Sequence, residues 1–149
     1  MSKPNLWYVQ IFAASLLLIV AATHPAASDP TQQWHGQYAT TPESEVIVAT
    51  DARLWRNILT TAKPTTQQFP AFDPAHKVGV GIFLGRRPTG GYGVEIVSMG
   101  LSKDKFVIVI DEIKPGGSIV TQALTSPWTI LLIDKPDLPV EVEPRFHAN

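Results

Sequence analysis

Apolar residues recur at every second position in Lys77–Leu84 (KVGVGIFL), where Val78, Val80, Ile82 and Leu84 share one face. That period marks a strand resting one face on a core. The opposite face carries Gly79, Gly81 and Phe83, so another element is expected to approach the backbone closely there. Tyr92–Met99 (YGVEIVSM) alternates too, with Tyr92, Val94 and Ile96 on one side. Phe106–Ile113 (FVIVIDEI) begins as a continuous apolar run, which suits a central strand covered on both faces. Trp128–Ile133 (WTILLI) is a further apolar run, and Glu45–Thr50 (EVIVAT) a short β-branched one. Ile119–Leu124 and Val140–Val142 are weaker strand candidates.

One stretch has a different period. In Asp51–Ala62 (DARLWRNILTTA), Leu54, Trp55, Ile58 and Leu59 fall on one helical face. Thr50 or Asp51 is placed to cap the first amides, and Pro64 to end the helix. The pattern therefore predicts a mainly β (α+β) domain. It is an antiparallel sheet or small β-sandwich carrying one packed N-terminal helix.

The amino-terminal segment breaks this pattern. One lysine precedes an apolar stretch from Trp7 to Ala22, after which small and then polar residues follow. This is the layout of a secretory signal, with cleavage expected after Ala22 or Ser28. The other reading is an uncleaved anchor, although Ile11–Ala22 is short for a span of about 20 residues. The expected organisation is a signal peptide over 1–28, an exposed lead-in over 29–44 and one domain over 45–149. In the lead-in, Trp34 or Tyr38 is expected to be pinned to the domain. The location implied is periplasmic or secreted, with membrane contact only through a retained signal.

Composition narrows the chemistry. The chain has 149 residues, enough for one domain, and a net charge of −1, which sets up no field for nucleic acid or acidic lipid. It has no cysteine, so disulfides, thiolate nucleophiles and zinc–sulfur sites are excluded. No GxSxG elbow is present. His35, His76 and His147 have no ligand spacing, so no metal or cofactor is expected. Asp111 and Glu112 are neighbours in a strand and point to opposite faces, so they cannot flank one bond together. The expectation for the pair is a strand emerging into solvent.

Residues 85–93, GRRPTGGYG, hold four glycines, two arginines and a proline. A phosphate loop would need a lysine after the glycines and a helix next; here Tyr92 and a strand follow. Pro88 presets a type I turn over Arg87–Gly90. Gly90 then takes positive φ and leads through a bulge into the next of two paired antiparallel strands.

Three stretches carry a family resemblance: Phe72–Asp73, the series Gly85-x-Arg87-Pro88-Thr89-Gly90-Gly91-Tyr92, and Ser126-Pro127-Trp128. Together they resemble the C-terminal domain of the protease complex subunit PrcB family over about Glu45 to Val142. The chain departs from that pattern at Gly93, where a polar residue is usual. The resemblance implies an exported, non-enzymatic accessory domain that binds or stabilises a protein partner, possible partners including an exported protease. The residues it offers for contact are Arg86, Arg87, Pro88, Thr89, Gly90, Gly91 and Tyr92, with Trp128 serving either the interface or the core. Pro-Thr-Gly-Gly-Tyr is also similar to a loop of chagasin-like protease inhibitors. That likeness implies inhibition through loop tips, with Pro115-Gly116-Gly117 and Ser126-Pro127-Trp128 as neighbouring tips.

Overall fold

The structure, a computed structural model, describes residues 31–117 and 121–145. The segment read as a signal lies outside the described residues. The elements in chain order are β1 (Gln32–Gly36), β2 (Glu45–Ala49), α1 (Ala52–Ala62), β3 (Lys77–Phe83), β4 (Gly93–Ser102), β5 (Lys105–Ile113), β6 (Trp128–Asp134) and β7 (Val140–Pro144). They form a four-stranded sheet in the order β1-β6-β3-β2 and a three-stranded sheet in the order β4-β5-β7. The expected mainly β architecture with one helix is what the chain adopts.

Three layers result, with the four-stranded sheet in the middle. One of its faces meets the other sheet: Val78, Val80 and Ile82 of β3 and Leu131 and Ile133 of β6 pack with Val94, Ile108 and Ile110. The other face takes the helix: Trp55, Ile58 and Ala62 pack with Ala49, Phe83, Ile130 and Leu132. β3 and β6 are therefore covered on both sides, which is why β6 reads as a run of apolar residues broken only by the buried Thr129 before it ends at Asp134.

The glycines of β3 show how tightly the helix layer sits. A Cβ at Gly79 would lie 2.4 Å from the Trp55 ring, and one at Gly81 would lie 2.9 Å from Ile58. The close approach expected from the sequence is that of α1. Trp55 in turn stacks on Phe72 at 5.2 Å and meets Phe69 edge-on at 6.1 Å, while Phe69 reaches Trp34 at 4.7 Å. Such aromatic groups supply much of the buried area in a small domain.

The helix starts where a cap predicts it. The Asp51 carboxylate accepts the Leu54 amide N–H at 2.8 Å, and that bond is the main cause of its lowered pKa. Lys63, in the left-handed region at φ 47°, closes the last turn with its N–H on the Leu59 carbonyl. A lowered folded-state pKa means the cap's contribution is complete above the ordinary aspartate value and is lost as pH falls through the folded one. We expect Asp51→Ala to lower the melting temperature at neutral pH and Asp51→Asn to preserve it. The gap between wild type and Asp51→Ala should close below pH 3.8, the ordinary value from which Asp51 is lowered; thermal melts across pH measure it.

Several expectations need correcting. Residues 32–36, inside the stretch expected to be an exposed lead-in, form β1 and pair antiparallel with β6. Their pattern gave no alternation because only Trp34 reaches a core, as an edge strand permits. β5 is central in its sheet but has one outward face, on which Val109 is only half-buried. Its apolar run reflects inward Ile108 and Ile110 plus outward valines. β5 and β7 pair in parallel, unlike the other strand pairs. Residues 121–124 are not a strand, and 118–120 lie outside the described residues.

Candidate functional site

β3 and β4 do not form the hairpin the sequence suggests. They belong to different sheets, so residues 84–92 cross from one layer to the other. Local periodicity reports which face a residue takes, not which sheet receives the strand. The glycines serve this crossing. Gly85 has φ 73°, and a Cβ there would stand 2.7 Å from the Glu43 and Pro42 backbone. Gly91 has φ 88° and lies against Pro115, 3.0 Å from where a Cβ would sit. Positive φ thus falls at Gly85 and Gly91 and not at the expected Gly90. The bulge also lies elsewhere, between Ile96 and Ser98.

The crossing is laced to the segment before β6. Leu84 N–H donates to the Pro127 carbonyl at 3.0 Å, and Arg87 and Thr125 exchange backbone bonds of 2.8 and 3.0 Å. Thr125 Oγ1 donates to the Thr89 carbonyl at 2.8 Å, and the Gly90 N–H to the Thr121 carbonyl at 3.0 Å. Three separate sequence stretches thereby converge: 85–92, the loop at Pro115, and 125–128.

Arg87 is the brace of this arrangement. Its guanidinium holds the Glu112 carboxylate through both oxygens, at 2.7 Å from Nε and 3.2 Å from Nη2. Nη1 donates to the Leu84 carbonyl at 2.7 Å and to that of Arg86 at 3.1 Å. The Tyr92 ring lies 5.9 Å from the guanidinium carbon. The bond to Glu112 is the leading cause that holds the Arg87 pKa above its ordinary value. The two side chains are 24% and 29% exposed, so this is a partly dry, two-point pair and stronger than a surface one. Glu112 is thus not a solvated strand end. Its partner stands 25 positions away, beyond any local signal.

The residues offered for contact divide accordingly. Arg86, Pro88 and Gly91 are exposed, whereas Thr89, Gly90 and Tyr92 are half-buried. Arg87 is occupied by Glu112. Trp128 is 3% exposed and Gly36 presses on its ring, where a Cβ would stand 2.5 Å away; it is a core residue.

Beside the crossing lies a cleft of about 340 Å³, lined by Gln33, His35, Gln37, Tyr92, Val94, Ile113, Trp128 and Thr129. It opens between β1 and the start of β4. Gln37 spans it: Nε2 donates to the Tyr92 carbonyl at 3.1 Å. Its Oε1 is buried and meets no hydrogen-bond donor among the described residues. Sequence reading missed this polar wall because it lies in the supposed lead-in. The isolated aromatics Trp34 and Tyr38 were the available hint. Among the described residues, no three His, Asp or Glu side chains gather as a metal site requires.

Comparison with known proteins agrees with the earlier resemblance over part of the chain. Residues 79–134 match the family model described as PrcB C-terminal. The PrcB C-terminal segment is under half of the chain and runs from within β3 to the end of β6. It contains the crossing, Arg87, Glu112 and Trp128, so the family resemblance holds for the residues that build the brace. The helix, β1, β2 and β7 lie outside the match. No curated protein and no solved structure matches the chain.

Proposed function

We propose that this is an exported, non-catalytic accessory domain that binds or stabilises a protein partner, with an exported protease the first class to test. The PrcB C-terminal match over residues 79–134 carries this reading. The protease partner comes from the resemblance to the protease complex subunit PrcB family, with which this match agrees, and the charged pair Arg87–Glu112 is consumed in holding the crossing. The proposed contact surface is the cleft beside Tyr92, together with the exposed Arg86 and Pro88. An extended partner segment laid in the cleft would set its apolar side chains on the exposed Ile113 and its polar groups against the exposed Gln33 and His35.

The experiment is capture of the tagged protein from its native envelope and culture fractions, followed by Gln33→Ala with His35→Ala. Both side chains are exposed and line the cleft. We expect a co-purifying exported protein, recovered about tenfold less well with the double variant, at unchanged melting temperature. Recovery under gentle conditions of this chain with no other protein would sink the reading.

A second reading, a protease inhibitor acting through loop tips, draws on the contact of Gly91 with Pro115. Inhibition of papain-like or subtilisin-like proteases by the isolated protein, without a stable partner in the cell, would select it.

A further inference from the structure

β4 is the longest strand of the described residues and forms an edge, hydrogen-bonded to β5 alone. Edge strands are normally guarded by charge, proline, a bulge or shortness. The bulge between Ile96 and Ser98 guards the first half. Beyond it Ser98–Ser102 runs in unbroken register with Lys105–Val109 and carries no charged residue and no proline. Met99 lies across from Ile108 and Leu101 across from Phe106, both of which belong to or pack on the inter-sheet core. Their side chains therefore share that inward face. Yet Met99 is 38% and Leu101 73% exposed, so this end of the hairpin projects past the four-stranded sheet.

We propose that this half-strand pairs with the same half-strand of a second copy of the chain. The sequence there is Ser98-Met99-Gly100-Leu101-Ser102, which reads the same in chemical type from either end. A two-fold interface requires that kind of self-complementarity. Antiparallel pairing centred on Gly100 sets Met99 across from the Leu101 of the partner copy on the inward face. It sets serine across from serine on the outward face. The four exposed apolar side chains then cover one another, and the unpaired backbone groups of both edges are satisfied. An unrelated partner strand would need no such palindrome. The upstream bulge and the turn at Lys103–Asp104 confine the pairing to these residues. This inference does not rest on the function proposed above, since the cleft lies at the opposite end of β4.

The test uses the absence of cysteine. A Cβ at Gly100 would meet nothing within 4 Å, so Gly100→Cys fits the fold. Opposed residues in an antiparallel pair have Cα atoms about 4.5–5.5 Å apart, within the range that a disulfide bridges. We expect mild oxidation of the full-length protein, in non-ionic detergent, to link Gly100→Cys into dimers. This should be about tenfold or more faster than for Asn57→Cys on exposed α1, because pairing holds the thiols at an effective concentration on the order of millimolar. Adding Leu101→Lys should abolish that advantage while the circular dichroism spectrum stays that of the folded domain, and its melting temperature should lose the concentration dependence that dimerisation gives the wild type. Equal rates for Gly100→Cys and Asn57→Cys, or no effect of Leu101→Lys, would overturn the proposal. Sedimentation velocity needs no substituted cysteine: the wild type should run as a dimer and Leu101→Lys as a monomer. A wild-type monomer at the highest soluble concentration would equally overturn it.

Discussion

Gly79→Ala is expected to destabilise the protein by about 3 kcal/mol, the upper end of the usual cost of overpacking, and Gly79→Val by more. A Cβ at this position would lie 2.4 Å from Trp55 Cε3 and 2.6 Å from Cζ3, well inside contact distance. The ring cannot retreat, because Phe72 stacks on it at 5.2 Å and Phe69 meets its edge. Helix α1 would have to lift from the sheet, with loss of the contacts of Ile58 and Ala62 as well. Against a typical stability of about 5–15 kcal/mol, such a loss is large. Urea denaturation of a double-mutant cycle checks the cause. In a Trp55→Ala background, Gly79→Ala should cost little, because the opposing ring is gone. Gly116→Ala, in open space, should be near neutral. An undiminished cost of Gly79→Ala without Trp55 would show that the glycine serves some other purpose.

Arg87→Ala is expected to cost about 3 kcal/mol, the lower end of the range for breaking an ion pair held out of water. The lower end applies because the two side chains retain 24% and 29% of their exposure. The substitution leaves the Glu112 carboxylate and the Leu84 carbonyl without the bonds of 2.7 Å that now satisfy them. Lysine should not rescue it, since a single ammonium cannot hold both carboxylate oxygens and two carbonyls. A cycle with Glu112→Ala should give a coupling of about 1–2 kcal/mol. Partner capture and thermal stability should fall together in Arg87→Ala, in contrast to the Gln33/His35 variant, which should affect capture alone. Unchanged melting with lost capture would instead place Arg87 at the contact surface.

Local chemistry made much of this fold legible. The helix and its Asp51 cap follow from the 3.6-residue period and a capping residue. The alternation in Lys77–Leu84, with its two glycines, foretold an element pressed on the backbone, and Trp55 is that element. Trp128 read as core ahead of interface, and Gly36 pressed on its ring fits the core reading. What the sequence left obscure was long-range. Nothing local assigns β3 and β4 to different sheets, so a crossing read as a hairpin. Arg87 and Glu112 look like two solvated charges until the layers bring them together. β1 was hidden because an edge strand with a single core-facing side chain has no period to read. Gln33, His35 and Gln37, which line the cleft from that side, were hidden with it, whereas Tyr92 and Trp128 on the other side were not.

The register of β1 bears on how the structure assembles. Gln32 lies against Leu132, so this one pairing closes nearly the whole described chain into a loop. The entropic penalty of such closure rises with loop length. It is offset only once β6 is already seated against β3, with β1 adding its five residues at the margin. The β1 strand is therefore expected to latch late onto a body that β3 and β6 have already built.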